Sequence, residues 1–239
     1  MKLQFVTSVS PSYWNGVAKH CIGTWNLPGD LVIYIDQPEG DIEWFDEIKH
    51  KKRLVHVPQL KFESSLTDED DNETGDTKTK VRKFWGKSCA QIHAVRNRPE
   101  DTRIIWLDAD MEQLVPYIPE NLFDFQFHHA VSLMKSSDWV DDRWETGLVM
   151  FNQEHPKIDL FINQYEKLWK NKEEMSQLWR PYDAQVLGRL AEKRGYHNLV
   201  TKPCENVDAL LNTRFRHYFK HWINKENKRK LKEKFDNEN

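Results

Sequence analysis

Apolar residues arrive along this chain in short runs with two different periods, separated by polar stretches that carry Gly and Pro. Leu31-Val-Ile-Tyr-Ile35 is unbroken and of strand length, the pattern of a parallel strand covered on both faces. Residues 2–8, rich in Phe, Val and Thr, read as a first strand, and residues 53–57, 102–107, 129–134, 147–151 and 199–201 as further ones. Helical spacing governs 81–96, through Val81, Phe84, Trp85, Ser88, Ile92 and Val95. It returns in 158–171, through Leu160, Phe161, Tyr165 and Leu168, and in 182–194, through Val186, Leu187, Leu190 and Ala191. Residues 13–24 and 42–49 predict shorter helices, and Leu27-Pro-Gly-Asp30 a turn.

Strand and helix alternate through the first half, which predicts α/β layers around a mixed, mostly parallel sheet. One stretch breaks the pattern: residues 66–80 are nearly all Asp, Glu, Thr, Lys and Asn, and are expected to be an exposed loop that orders over a bound ligand. The chain divides into a domain at 1–222 and a charged, Lys/Glu/Asn-rich tail at 223–239. The formal charge of −3 is too near neutral to suggest a nucleic-acid binder. No apolar run approaches the roughly 18 residues of a membrane span. The N-terminal apolar patch is too short for a secretory signal, and three widely spaced cysteines read as reduced thiols. Together these predict a cytoplasmic protein of a microbial or virus-infected cell. Basic tail residues such as Lys225, Lys228 and Arg229 have the charge to touch an anionic membrane, but Glu226, Glu233 and Asp236 dilute it.

Chemistry concentrates at Ile104-Ile-Trp-Leu-Asp-Ala-Asp110. Four apolar residues carry a strand inward, and two carboxylates two positions apart leave its end. In open α/β sheets ligands sit outside the carboxyl ends of the strands. There Asp108 and Asp110 can turn toward one ion, Mn²⁺ or Mg²⁺, which prefers hard oxygen ligands and commonly bridges substrate phosphates. Taken alone, the triplet reads equally as two solvated acids in a turn.

An apolar strand ending in Asp-x-Asp about a hundred residues into an α/β chain resembles the nucleotide-sugar glycosyltransferases of the GT-A fold. Three more segments extend the likeness. A helix with basic residues (Arg82, Lys83, Lys87) precedes the motif, Trp144-Glu-Thr-Gly-Leu-Val-Met-Phe-Asn152 follows it, and Tyr182-Asp-Ala-Gln-Val-Leu187 resembles a later helix start. The resemblance implies a Rossmann-like α/β/α sandwich and transfer of a sugar from a nucleoside-diphosphate sugar to an acceptor hydroxyl on a saccharide, a lipid-linked molecule or a protein. It implies that Thr7, Ser8 and Asp36, at strand ends, hold base and ribose, and that Lys87 pairs with a phosphate. It also implies a third metal ligand from a late His, either His217 or His221, which would share one helical face if that segment is helical. The family's His-x-x-Gly-x-x-Lys-Pro pattern is absent there, and Glu145 stands where many retaining relatives have Asn.

Several residues keep two readings. Glu145 either contacts the acceptor hydroxyl, accepting its proton if the enzyme inverts, or simply precedes a strand. Asp183 either caps a helix, or binds a sugar hydroxyl or acts as a base. Asp138, Asp141 and Asp142, with Trp139 and Trp144, form a sugar-binding surface or a solvated loop; His128 and His129 read as structural. Two other functions share some of these features. A haloacid-dehalogenase-type phosphatase also places Asp-x-Asp after a strand, but near the N-terminus and with Thr or Val where Glu112 stands here. A non-catalytic nucleotide- or sugar-binding module would keep the ten Trp residues without needing the metal.

Overall fold

In the computed structural model, residues 2–10, 13–35, 53–55, 81–123, 130–135, 144–178, 183–193, 200–201, 217–221, 229–230 and 233 are described. The strands are β1 (Lys2–Val9), β2 (Asp30–Ile35), β3 (Arg53–Val55), β4 (Thr102–Leu107), β5 (Met111–Gln113), β6 (Val131–Lys135), β7 (Trp144–Phe151), β8 (Val200–Thr201) and β9 (Phe219–His221). The helices are α1 (Lys19–Gly23), α2 (Val81–Arg96), α3 (Ile158–Trp169), α4 (Lys172–Ser176) and α5 (Asp183–Lys193). A π-helical turn, Trp14–Ala18, leads into α1, so the helix expected at 13–24 forms with a widened first half.

Among the described residues, seven strands make one sheet in the order β3-β2-β1-β4-β7-β6-β8. The pairs β3–β2, β2–β1 and β1–β4 are parallel, β7 runs against both β4 and β6, and β8 is parallel to β6. The sheet is therefore mixed and mostly parallel, as the alternating pattern predicts. A register shift between Leu133 and Met134 bends β6 against β7 near the start of the latter.

Side-chain parity explains how the sheet is covered. Val6, Ile104, Trp106, Val149 and Phe151 face a core completed by α2, α3 and α5. Their neighbours Phe5, Ile105, Leu107, Leu148 and Met150 face a second core with Trp14, Ala18, Ile22, Trp25, Phe123 and Phe219. Both faces of the central strands are thus dry, and Leu31–Ile35 and Thr102–Leu107 are buried without interruption. At the bend before β2 a Cβ on Gly29 would lie 2.3 Å from the Leu3 carbonyl oxygen, so glycine lets the chain pass beside β1.

The last pairing runs against the local pattern. β5 and β9 form a separate two-stranded antiparallel sheet, with Met111 opposite His221 and Gln113 opposite Phe219. The expectation that His217 and His221 share a helical face is corrected here. From Phe219 the chain is extended, because its backbone pairs with β5 and Phe219 is buried in the second core. The predicted helix at 42–49, the acidic loop at 66–80, the pair His128 and His129, Asp138, Trp139, Asp141, Asp142 and Asp36 lie outside the described residues, as does most of the tail.

Candidate active site

β4 delivers Asp108 to the carboxyl edge of the sheet, beside β1, where the parallel order divides toward β2 on one side and β4 on the other. Ligands of open α/β sheets sit at such a point. The chain then turns tightly, with the Met111 N–H donating to the Asp108 carbonyl at 3.0 Å, and continues as β5. The turn is held from outside as well. Trp25 Nε1 donates to the Met111 carbonyl at 2.6 Å, the Gln113 N–H donates to Thr24 Oγ1 at 2.9 Å, and β9 pairs along β5.

This framing brings three ligand-type side chains together. His221 Nε2 lies 3.1 Å from Asp110 Oδ1 and 3.7 Å from Asp108 Oδ2. Ligand atoms of Asp108, Asp110 and His221 all fall within 4.8 Å of one another. Two carboxylates and an imidazole are a donor set suited to a divalent cation, so these residues fit the ion that the Asp-x-Asp motif implies. His217 stays outside: its ring is packed edge-on against Tyr218, and the residue is exposed.

Behind the cluster lies an ammonium group. Lys87, on α2, places Nζ 2.7 Å from Asp108 Oδ1 and 2.7 Å from Asp183 Oδ2. It also donates to the Thr146 carbonyl at 3.0 Å, with Thr146 Oγ1 at 3.4 Å. Three ammonium hydrogens thus have protein acceptors around them, and Lys87 clasps β4, β7 and the start of α5. Burial alone would lower its proton affinity, but Asp108 and Asp183 hold it above the usual lysine value. The Glu-Thr-Gly segment joins the same framework, because the Asp108 N–H donates to the Gly147 carbonyl at 2.8 Å.

The charge balance is informative. Three carboxyl groups, Asp108, Asp110 and Asp183, face the one ammonium of Lys87, which leaves a formal surplus of acidic groups in a largely buried place. Burial first, and then the neighbouring Asp110 and Asp183, push the Asp108 carboxyl above its ordinary value in spite of Lys87. The Tyr13 phenol adds a hydrogen bond to Asp110, and burial together with that carboxylate pushes its proton affinity well up. A divalent cation would neutralise this surplus.

Other predicted residues fall nearby or apart. Thr7 is fully buried and Ser8 half-buried at the carboxyl end of β1. Glu145 lies in β7, its backbone opposite Met134 of β6. Arg82 and Lys83 belong to α2, but their side chains are outside the described residues. Sequence reasoning missed Tyr13, Trp106 and Thr146. Trp106 reads as one more apolar strand residue, yet its Nε1 donates to Asp108 Oδ1 at 2.7 Å. Thr146 lies within the Glu-Thr-Gly segment already singled out, whereas Tyr13 and Trp106 carried no local signal of a site role.

No protein-family model matches the chain, and no curated protein sequence matches it. Solved structures do. The apo form of the glycosyltransferase GlyE of Streptococcus pneumoniae TIGR4 superposes with a TM-score of 0.58 at 12% identity, over 94% of this chain and 55% of GlyE. This chain therefore spans about half the length of GlyE. A glycosyltransferase involved in glycosylation of the major capsid of PBCV-1 gives 0.54 at 12% identity, covering 96% of this chain and 99% of that one. An active-site mutant of LgtC gives 0.54 at 11% identity, over 92% and 87%. At such identities the likeness establishes the fold: this is the GT-A architecture.

Proposed function

We propose that this protein is a metal-dependent glycosyltransferase that moves a sugar from a nucleoside-diphosphate sugar to an acceptor hydroxyl. The observation that carries the reading is the convergence of Asp108, Asp110 and His221 at the carboxyl edge of the central strands of a GT-A fold. Asp108, Asp110 and His221 would hold Mn²⁺ or Mg²⁺, and an imidazole in the set suits Mn²⁺ better. The bound ion supplies Lewis-acid neutralisation of the charge that grows on the diphosphate as it leaves.

The remaining roles belong to this chain's own side chains. Thr7 and Ser8, near the end of β1, are assigned to hold base and ribose, a role the sequence also suggests for Asp36. Lys87 lies 2.7 Å from an oxygen of each of Asp108 and Asp183, and its positive charge would add to the field felt by the departing phosphates. Asp183, held against Lys87, is assigned to accept hydrogen bonds from the transferred sugar. Glu145, next to Thr146 and Gly147, is assigned to the acceptor side, where a carboxylate can orient the attacking hydroxyl. The acceptor class is a saccharide, a lipid-linked molecule or a protein. The catalytic unit is taken as 1–222, with 223–239 as a charged extension. Among the described residues no helix is long and apolar enough to cross a membrane. The side chains of Cys21 and Cys89 are buried, and the proposed setting is cytosolic.

The test is a panel of nucleotide-sugars assayed with Mn²⁺ for hydrolysis and for thermal stabilisation. At least one donor should be hydrolysed and should raise the melting temperature only when metal is present. Silence across the panel would overturn the transferase reading.

A further inference from the structure

Trp106 is a large, fully buried aromatic of the central strand, and its burial invites a purely hydrophobic explanation. Its indole N–H contradicts that. Nε1 donates to Asp108 Oδ1 at 2.7 Å, and Lys87 Nζ reaches that same oxygen at 2.7 Å. The ammonium also stands 5.5 Å from the centre of the Trp106 ring, within cation–π range. One oxygen of Asp108 is therefore taken by two protein donors. The other, Oδ2, is the one that faces His221 Nε2 at 3.7 Å.

Parity explains why a residue two positions upstream can do this. Positions 104, 106 and 108 project to one side of β4, the side covered by α2 and α5. A side chain at 106 long enough to carry an N–H to its end reaches back to the carboxylate at 108. Leu or Phe would fill the core but leave that oxygen to Lys87 alone.

We propose that Trp106 is a positioning residue of the metal centre: with Lys87 it saturates Oδ1 of Asp108, so that Asp108 offers an ion Oδ2 alone. The inference rests on the reading of Asp108, Asp110 and His221 as ligands. Without the indole N–H only Lys87 holds Oδ1, so the carboxylate is less restrained about its Cβ–Cγ bond and Oδ2 is held less firmly on the side of Asp110 and His221. Hydrogen-bonding partners of metal ligands act in this way by fixing ligand orientation.

The experiment measures Mn²⁺ affinity by calorimetry and by Mn²⁺ electron paramagnetic resonance. It uses the full chain as wild type, W106F, an isostere at 106 with benzothienyl sulfur in place of the indole N–H, and W169F as a control for loss of a buried indole elsewhere. The isostere keeps ring volume and decides the matter if W106F fails to fold. Loss of the N–H should weaken Mn²⁺ binding by about 10- to 100-fold, with W169F unchanged. The Mn²⁺ concentration for half-maximal turnover should rise by the same factor while kcat at saturating Mn²⁺ stays near wild type, a split that a packing defect would not produce. Wild-type affinity in the isostere, or equal weakening in W169F, overturns the role of Trp106 and leaves the metal site standing. Failure of the wild type itself to bind Mn²⁺ overturns both.

Discussion

Replacing Lys87 with Met keeps much of the side-chain volume and deletes the charge at the point where three elements meet. In the wild type Lys87 lies 2.7 Å from an oxygen of each of Asp108 and Asp183, with side-chain exposures of 11%, 21% and 3% respectively. Removing one partner of a buried ion pair leaves uncompensated charge in a poorly solvated place and costs about 3–5 kcal/mol. The Thr146 carbonyl loses its ammonium donor as well. For a chain of this size each kcal/mol moves the melting temperature by roughly 2–4 °C, so K87M should melt about 6–20 °C below wild type in metal-free buffer. The sign of the pH dependence follows from Asp108, whose folded-state pKa is already raised by burial. A carboxyl raised in the folded state contributes stability at low pH and loses it as pH rises through the folded value. Without Lys87 that value rises further, so the K87M penalty should be largest at neutral pH and shrink on acidification. Mn²⁺ supplies the missing positive charge, so it should stabilise K87M more than wild type. Thermal and urea unfolding from neutral to mildly acid pH, with and without Mn²⁺, measure this. A neutral-pH loss below about 1 kcal/mol, the scale of an exposed ion pair, would refute the clasp.

Three further outcomes are expected. H221A should lower Mn²⁺ affinity by at least about 100-fold in calorimetric titration, as loss of a direct ligand exceeds loss of a hydrogen-bonding partner of one, whereas H217A should leave it unchanged. G29A must move β2 away from the Leu3 carbonyl, and chemical denaturation should show a loss of about 1–3 kcal/mol, the range for overpacking a tight site. Glu166 is raised by burial, but Lys170 and Arg96 overcome this and hold its carboxyl below the ordinary value. A depressed carboxyl contributes stability above its unfolded pKa and loses it as pH falls through the folded one. The stability advantage of wild type over E166Q should therefore be present at neutral pH and vanish in acid, as read by urea unfolding across pH.

Much of the framework was legible because its signals are local. The helical period of 81–96 and the apolar run 102–107 match α2 and β4 residue for residue, and residues 31–35 are buried on both sides as an unbroken run implies. The Asp-x-Asp turn lies at a strand end because four apolar residues must stay inside and two acids cannot. The start of β6 shifted from 129 to Val131, and β7 begins at Trp144 rather than 147, where polar residues hide strand pairing. What could not be read depends on contacts between distant segments. His217 and His221 have helical spacing, and only the pairing of β9 with β5 extends the chain and carries His221 to Asp110. Asp183 opens a helix, as its position suggests, but that its carboxylate meets Lys87 depends on the packing of α5 against α2. Trp106 looks like core in any one-dimensional reading, since a hydrogen bond from its ring has no periodic signature.

The central claim, that Asp108, Asp110 and His221 hold an ion which binds a nucleoside diphosphate, is tested most directly by calorimetry of nucleoside diphosphate binding with Mn²⁺ and with chelator, in wild type and D110A. Wild type should bind at least about tenfold more tightly with Mn²⁺, because the ion bridges carboxylates and phosphates, and D110A should lose that gain. Equal affinity with and without Mn²⁺ in the wild type, or a gain that survives in D110A, would contradict the account.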